Sequence, residues 1–235
     1  MSKEVTVYGY NSVETSVLKN PDNIIELYVD QSSSNKRIEK LLSSKIASRL
    51  NILKVDNIFL SELLSTEKHQ GIAAKIKIND FFDLKSSIQY LSQNNGSLVL
   101  ILDDLDDPRN IGACLRTANA SDVDMVVLSK NRVNIDSPVI GKVSSGALQN
   151  TNIAVVSNIS QFIDRVKEIG FWIYGTSDNS EVSYWEPNYT DSTAIVVGSE
   201  GRGIRDLTKS QCDQVISIPM SGNVSSLNVS VACGL

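Results

Sequence analysis

"TAIVVGSEGRGI" (193–204) joins an unbroken apolar run to a loop carrying three glycines, Gly198, Gly201 and Gly203, in six residues. An apolar run without alternation reads as a strand covered on both faces. The glycines let backbone approach a ligand where a Cβ would interfere. Five more such runs occur after residue 96: "LVLIL" (98–102), "MVVL" (125–128), "IAVV" (153–156), "FWIYG" (171–175) and "QVISI" (214–218). Candidate helices at 110–120, 138–148, 160–169, 203–210 and 225–235 alternate with them. The pattern predicts an α/β domain with a parallel sheet of about six strands and helices on both sides. Ligands bind such sheets outside the carboxyl ends of the strands, where the glycine loop falls.

Upstream, short elements follow one another closely: "VTVYG", "SVETSVLK", "IIELYVD", a basic helix over 35–49, "NILKV", "NIFLSELL" and "GIAAKIKI". They predict a separate small α/β domain over 1–78. The stretch "KSSIQYLSQNNGS" (85–97) is polar and turn-forming, so 79–96 reads as a linker before the larger domain, 97–235.

Composition narrows the function. With 41% hydrophobic and 21% charged residues, the 235-residue chain can bury a sizeable core. No apolar run approaches the roughly 18 residues of a membrane helix, and "MSKEVTVYGY" has no signal-peptide core, so a cytoplasmic protein without membrane association is expected. Three scattered cysteines, Cys114, Cys212 and Cys233, read as small core residues, and the single His69 reads as a turn or RNA-facing residue. This inventory argues against structural zinc and against a histidine-based triad. The net charge of −5 argues against a nucleic-acid partner until it is divided along the chain. Residues 1–78 hold nine lysines and two arginines against nine acids, whereas the remainder holds 11 basic and 18 acidic residues. Lys36, Arg37, Lys40, Lys45 and Arg49 bunch together, so RNA would first meet the N-terminal part.

Three motifs could carry chemistry. In "LDDLDDPRNIGACLRTANASDV" (102–123) a strand enters an acidic turn, Pro108 fixes the exit, Asn110 is a candidate helix cap, and Arg116 lies nearly two turns deeper. In "VGSEGRGI" (197–204) the spacing is G-x-x-G-x-G, with no G-K-[ST], which sets aside a dinucleotide-dependent oxidoreductase. Glu200 there can accept hydrogen bonds from a neighbouring side chain or a substrate. In "ISIPMSGNVSSLNVSVACGL" (216–235), Ser225 or Ser226 can cap a helix whose first turn carries Ser226 and Asn228.

Together, in order and spacing, these motifs resemble those of the SpoU family of RNA ribose 2′-O-methyltransferases, within the SPOUT superfamily. The match covers about residues 97–235, and "VYGYNSVETSV" with "HQGIAAKI" (69–76) is similar to the accessory domain of members that act on 23S ribosomal RNA. The resemblance implies a trefoil-knotted, parallel-sheet methyltransferase domain that forms a homodimer, preceded by a small α/β RNA-binding domain. It implies methyl transfer from S-adenosylmethionine, without a metal, to the ribose 2′-OH of a guanosine in 23S rRNA, in the P-loop of the peptidyl-transferase region. Alternatives are a SpoU-type enzyme for tRNA or another rRNA site, and a non-catalytic RNA-binding assembly factor. By resemblance, the catalytic positions are Asn110, Arg116, Glu200, Ser226 and Asn228. The cofactor residues are Gly198, Ile218 and Leu227, with Thr176, Gly201 and Met220 as neighbours. Because arginine stays protonated, Arg116 is expected to hold a substrate phosphate and stabilise alkoxide charge rather than act as base. Asn110 and Glu200 are expected to orient it. The family pattern continues for about another helix beyond "VACGL".

Overall fold

The computed structural model describes residues 3–224 and 226–235. In chain order, β1 (Lys3–Tyr8), α1 (Tyr10–Lys19), β2 (Ile24–Asp30), α2 (Lys36–Leu42), β3 (Ile52–Val55), α3 (Asn57–Leu64) and β4 (Ile72–Ile78) come first. There follow α4 (Leu84–Ser92), β5 (Leu98–Leu102), α5 (Pro108–Ala120), β6 (Met125–Ser129), α6 (Pro138–Val143) and α7 (Ala147–Asn150). The rest comprises β7 (Ile153–Val156), α8 (Ile159–Glu168), β8 (Trp172–Thr176), β9 (Thr193–Val197), α9 (Asp206–Gln211), β10 (Gln214–Ile216) and α10 (Val229–Ala232).

These elements form two compact units: Met1–Asp80 with Ile135–Asn150, and Phe81–Asn134 with Thr151–Leu235. The first holds a four-stranded sheet in the order β1-β4-β2-β3, antiparallel except for the β2–β3 pair. Tyr10, Val13 and Val17 recur at helical spacing and form the buried stripe of α1. The division departs from the expected 1–78 in one respect, because 135–150 belongs with this unit. Ser12 Oγ donates to the Lys142 carbonyl at 2.8 Å, and Gln149 Nε2 donates to Ser16 Oγ at 2.6 Å. These buried polar ties join segments about 130 residues apart, and nothing local in sequence signals them. His69 lies in a turn, the first of its two expected places, and is buried rather than RNA-facing. Its Nδ1 accepts the Gly71 N–H at 3.1 Å, and its Nε2 lies 3.2 Å from Ser61 Oγ.

The second unit holds six strands in the order β10-β8-β9-β5-β6-β7, every pair parallel. Val99 and Ile101 face one side of β5, Leu100 and Leu102 the other, and all four are buried. Two covered faces are the physical reason for the unbroken apolar runs. The expected linker is a correction. Phe82 pairs beside β7, with its N–H donating to the Ile153 carbonyl at 2.9 Å, and α4 follows. Asp83 and Ser86 form its capping box, while Leu84, Ile88 and Leu91 pack on the core of this unit. The serines and glutamine set among those residues, Ser87 itself buried, hid that stripe. The last strand is shorter than "QVISI", because Ser217 leaves β10 to pair with Ser183. No helix among the described residues is long and apolar enough to cross a membrane.

Candidate active site

The carboxyl ends of β5, β8, β9 and β10 lie side by side, and the chain leaves each of them through polar residues. After β9, residues 198–204 fold back on themselves. The Gly203 N–H donates to the Ser199 carbonyl at 2.9 Å, and Gly201 and Gly203 take φ of +80° and +69°. A Cβ on Gly198 would lie 2.0 Å from the Gly203 carbonyl carbon, so only glycine permits this closure. After β5, Asp103 is fully buried. Its N–H donates to the Val197 carbonyl at 2.8 Å, and its carboxylate accepts from Arg205 N (2.9 Å), Nε (2.9 Å) and Nη2 (2.6 Å). These bonds hold the Arg205 guanidinium above its already high ordinary pKa.

Helix α5 begins with Asp107 as its cap, accepting the Arg109 N–H at 2.9 Å, and with Pro108 in the first turn. Asn110 is therefore inside the helix, not its cap. Its freed side chain donates from Nδ2 to Glu200 Oε1 at 3.2 Å. Asn228 Nδ2 donates both to Asn110 Oδ1, at 3.1 Å, and to Glu200 Oε1. The two amides and the carboxylate thus close a triangle between α5, the glycine loop and the start of α10. Asn228 is also the cap of α10, accepting the Ser230 N–H at 2.9 Å. The expected helix over 225–235 starts later than its serines suggested. Ser226 precedes the cap, and Ser225 lies outside the described residues. The helix expected from 203 likewise begins only at Asp206, because Asp103 holds Arg205 in extended backbone.

A cavity of about 350 Å³ opens at these strand ends. Thr176, Gly198, Gly201, Ile218, Met220 and Leu227 all line it, together with Glu200 and Ser226. Asn110 and Asn228 reach it through Glu200. Arg116 is exposed on α5, is not among the lining residues, and makes no hydrogen bond or ion pair with a described residue. Its expected orientation by Asn110 and Glu200 is not found, because those groups bond each other and Asn228. Sequence reasoning missed Ser177, Asp178, Asn179 and Lys209 in the lining, with Lys209 Nζ donating to Ser177 Oγ at 3.3 Å. The signal was available: "SDN" follows the β8 run at its carboxyl end, where ligands gather. No group of three or more metal-ligating side chains occurs among the described residues.

Residues 97–235 match the SpoU rRNA Methylase family, and residues 6–82 match the RNA 2′-O ribose methyltransferase substrate binding family. A Coxiella burnetii protein named 23S rRNA (guanosine-2′-O-)-methyltransferase RlmB is 39% identical over 236 residues, covering 100% of this chain and 94% of that one. Its Neisseria meningitidis namesake is 34% identical with the same coverage. Among solved structures, the SpoU methyltransferase AviRb from Streptomyces viridochromogenes, in complex with AdoMet, shares the fold. It has a TM-score of 0.78 at 20% identity, over 98% of this chain and 86% of that one. The A. aeolicus TrmH/SpoU tRNA modifying enzyme has a TM-score of 0.53 at 29% identity, over 64% of this chain and 79% of that one. With its motifs gathered at one end of a parallel sheet and both parts of its length matched, this chain belongs to the SpoU rRNA methylase family.

Proposed function

We propose that this chain transfers the methyl group of S-adenosylmethionine to the ribose 2′-oxygen of a guanosine in 23S ribosomal RNA. One observation carries the reading: the cavity lined by all six expected cofactor residues shares Glu200 with the Asn110–Glu200–Asn228 triangle. The cavity suits the cofactor chemically. Its volume falls in the roughly 300–1,000 Å³ range of small-molecule sites. Val197, Ile218 and Leu227 offer apolar wall for a purine, while Thr176, Ser177 and Asn179 offer hydroxyls and an amide for polar groups.

Bound S-adenosylmethionine supplies a methyl group already activated by a positive sulfur. What remains for the chain is alignment and care of the proton. Glu200 fixes the two amides, and through them the first turn of α5 and the start of α10. Arg116 is an exposed cation on the same helix as Asn110. It clamps the substrate phosphate and stabilises negative charge on the ribose oxygen, and the proton leaves to phosphate or water. Ser226 and Asn228 hold the C-terminal segment at the cavity. In this reading the small residues of 222–234 allow that segment to thread a trefoil knot, two copies form a homodimer, and the N-terminal unit grips RNA in the cytoplasm.

The test is methyl transfer from tritiated S-adenosylmethionine to 23S rRNA taken from a strain lacking this activity, with tRNA from the same cells in parallel. Ribose mapping is expected to find one 2′-O-methylated guanosine in 23S rRNA. Label in tRNA alone would redirect the substrate, and cofactor binding without transfer to any RNA would leave a binding protein instead.

A further inference from the structure

The acidic turn after β5 has no part in the function derived so far, yet Asp103 is its most deeply buried carboxylate and holds both ends of the glycine loop. Its N–H bonds the carbonyl of Val197, the residue before Gly198, and its carboxylate takes the N–H and guanidinium of Arg205, the residue after Ile204. We propose that Asp103 and Arg205 are a positioning pair for methyl transfer, setting where the 198–204 loop carries Glu200 and its share of the cofactor wall. The inference rests on reading the cavity as the cofactor site.

Three features make the pair a geometric device rather than an ordinary ion pair. The bonding is forked, two guanidinium nitrogens on one carboxylate oxygen with the backbone N–H on the other, so distance and orientation are both specified. Ile204, next to Arg205, is buried and packs closely on Gly175, where an added Cβ would lie 2.8 Å from its Cδ1, so the residue beside Arg205 is itself held. Asp103 also stands only a short turn before Asp107, the cap of the helix that carries Asn110. Asp103 thus stands beside the chain segments that carry both partners of the 3.2 Å Asn110–Glu200 bond.

The Arg205→Ala chain keeps the backbone bond from residue 205 and is expected to fold. Below its melting transition, S-adenosylmethionine affinity is expected to fall about tenfold and kcat at saturating cofactor by at least as much, the scale of removing charge-assisted hydrogen bonds at one site. KM for RNA should change less than twofold by the same reasoning, because the pair touches no surface assigned to RNA. Arg205→Lys, which restores one charged donor without the fork, is expected to recover part of kcat. Asp103→Asn serves as the second variant and should be worse than Arg205→Ala, since its amide would oppose the Arg205 N–H. Calorimetry for cofactor binding and single-turnover transfer, both at a temperature where circular dichroism shows a fully folded chain, give the readout. Wild-type affinity and kcat in folded Arg205→Ala would overturn the inference and leave a pair that serves stability alone. If wild-type protein itself bound no S-adenosylmethionine, the reading of the cavity would fail first, and the two failures are thereby distinct.

Discussion

Gly198 has no room for a side chain, because a Cβ there would meet the carbonyl carbon and oxygen of Gly203 at 2.0 and 2.1 Å. Those are backbone atoms and cannot swing aside. Gly198→Ala is therefore expected to open the loop, lower stability by about 1–3 kcal/mol as overpacking does, and weaken S-adenosylmethionine binding more than tenfold. Thermal melting and calorimetry check both parts, and wild-type affinity would show that the loop does not shape the cofactor site. Arg116 poses the opposite case, an exposed cation with no described partner. As a clamp it needs charge more than shape, so Arg116→Lys should keep about a tenth of the wild-type rate, whereas a neutral replacement abolishes the clamp altogether. Its pH–rate profile should still rise between about pH 6 and 9, because in this reading the proton leaves to phosphate or water and not to residue 116. A flat profile with RNA affinity intact would instead assign proton removal to the arginine.

At the scale of elements, α5 depends on its first turn. Asp107 caps it, and Asn110, three residues on, holds Glu200. Asp107→Ala is expected to cost about 1 kcal/mol, the usual worth of a cap, and to lower the melting temperature by roughly 2–4 °C. Fraying this turn also moves Asn110, so kcat should fall at temperatures well below the transition; unchanged kcat would mean that Asn228 alone suffices to hold Glu200. The six strands were legible because burial on both faces writes itself as apolar runs. Helix α4 was not, because its apolar stripe of Leu84, Ile88 and Leu91 is spaced among serines that also fit a loop. The caps were misread for a related reason. Asp107 and Asn110 are both good caps, as are Ser226 and Asn228, and local sequence does not say that Asp107 leaves Asn110 free for Glu200 while Asn228 both caps α10 and bonds Glu200.

Across the whole molecule, charge is divided unevenly along the chain. Residues 1–78 carry a small basic excess and the remainder a larger acidic one, a contrast hidden by the net −5. The basic helix expected over 35–49 is shorter than that range. Helix α2 ends at Leu42, Lys45 follows in a turn, and Arg49 ends a short 3-10 helix, Ala47–Arg49. Within the cluster Arg37 is engaged, with its guanidinium 4.0 Å above the Tyr10 ring and Nη2 donating to Asn11 Oδ1 at 3.3 Å. Lys36, Lys40 and Lys45 are exposed. If RNA phosphates meet this unit, replacing those three lysines with glutamine reduces counterion release on binding without disturbing the Tyr10 stacking. Affinity for 23S rRNA fragments should then fall, and the slope of log affinity against log salt should flatten by about one for each phosphate no longer neutralised. S-adenosylmethionine affinity, which belongs to the other unit, should stay unchanged. Filter binding between roughly 50 and 200 mM salt spans the range in which such phosphate neutralisation shows. A parallel drop at every salt concentration, with no change in slope, would mean that these lysines shape the unit rather than touch phosphate.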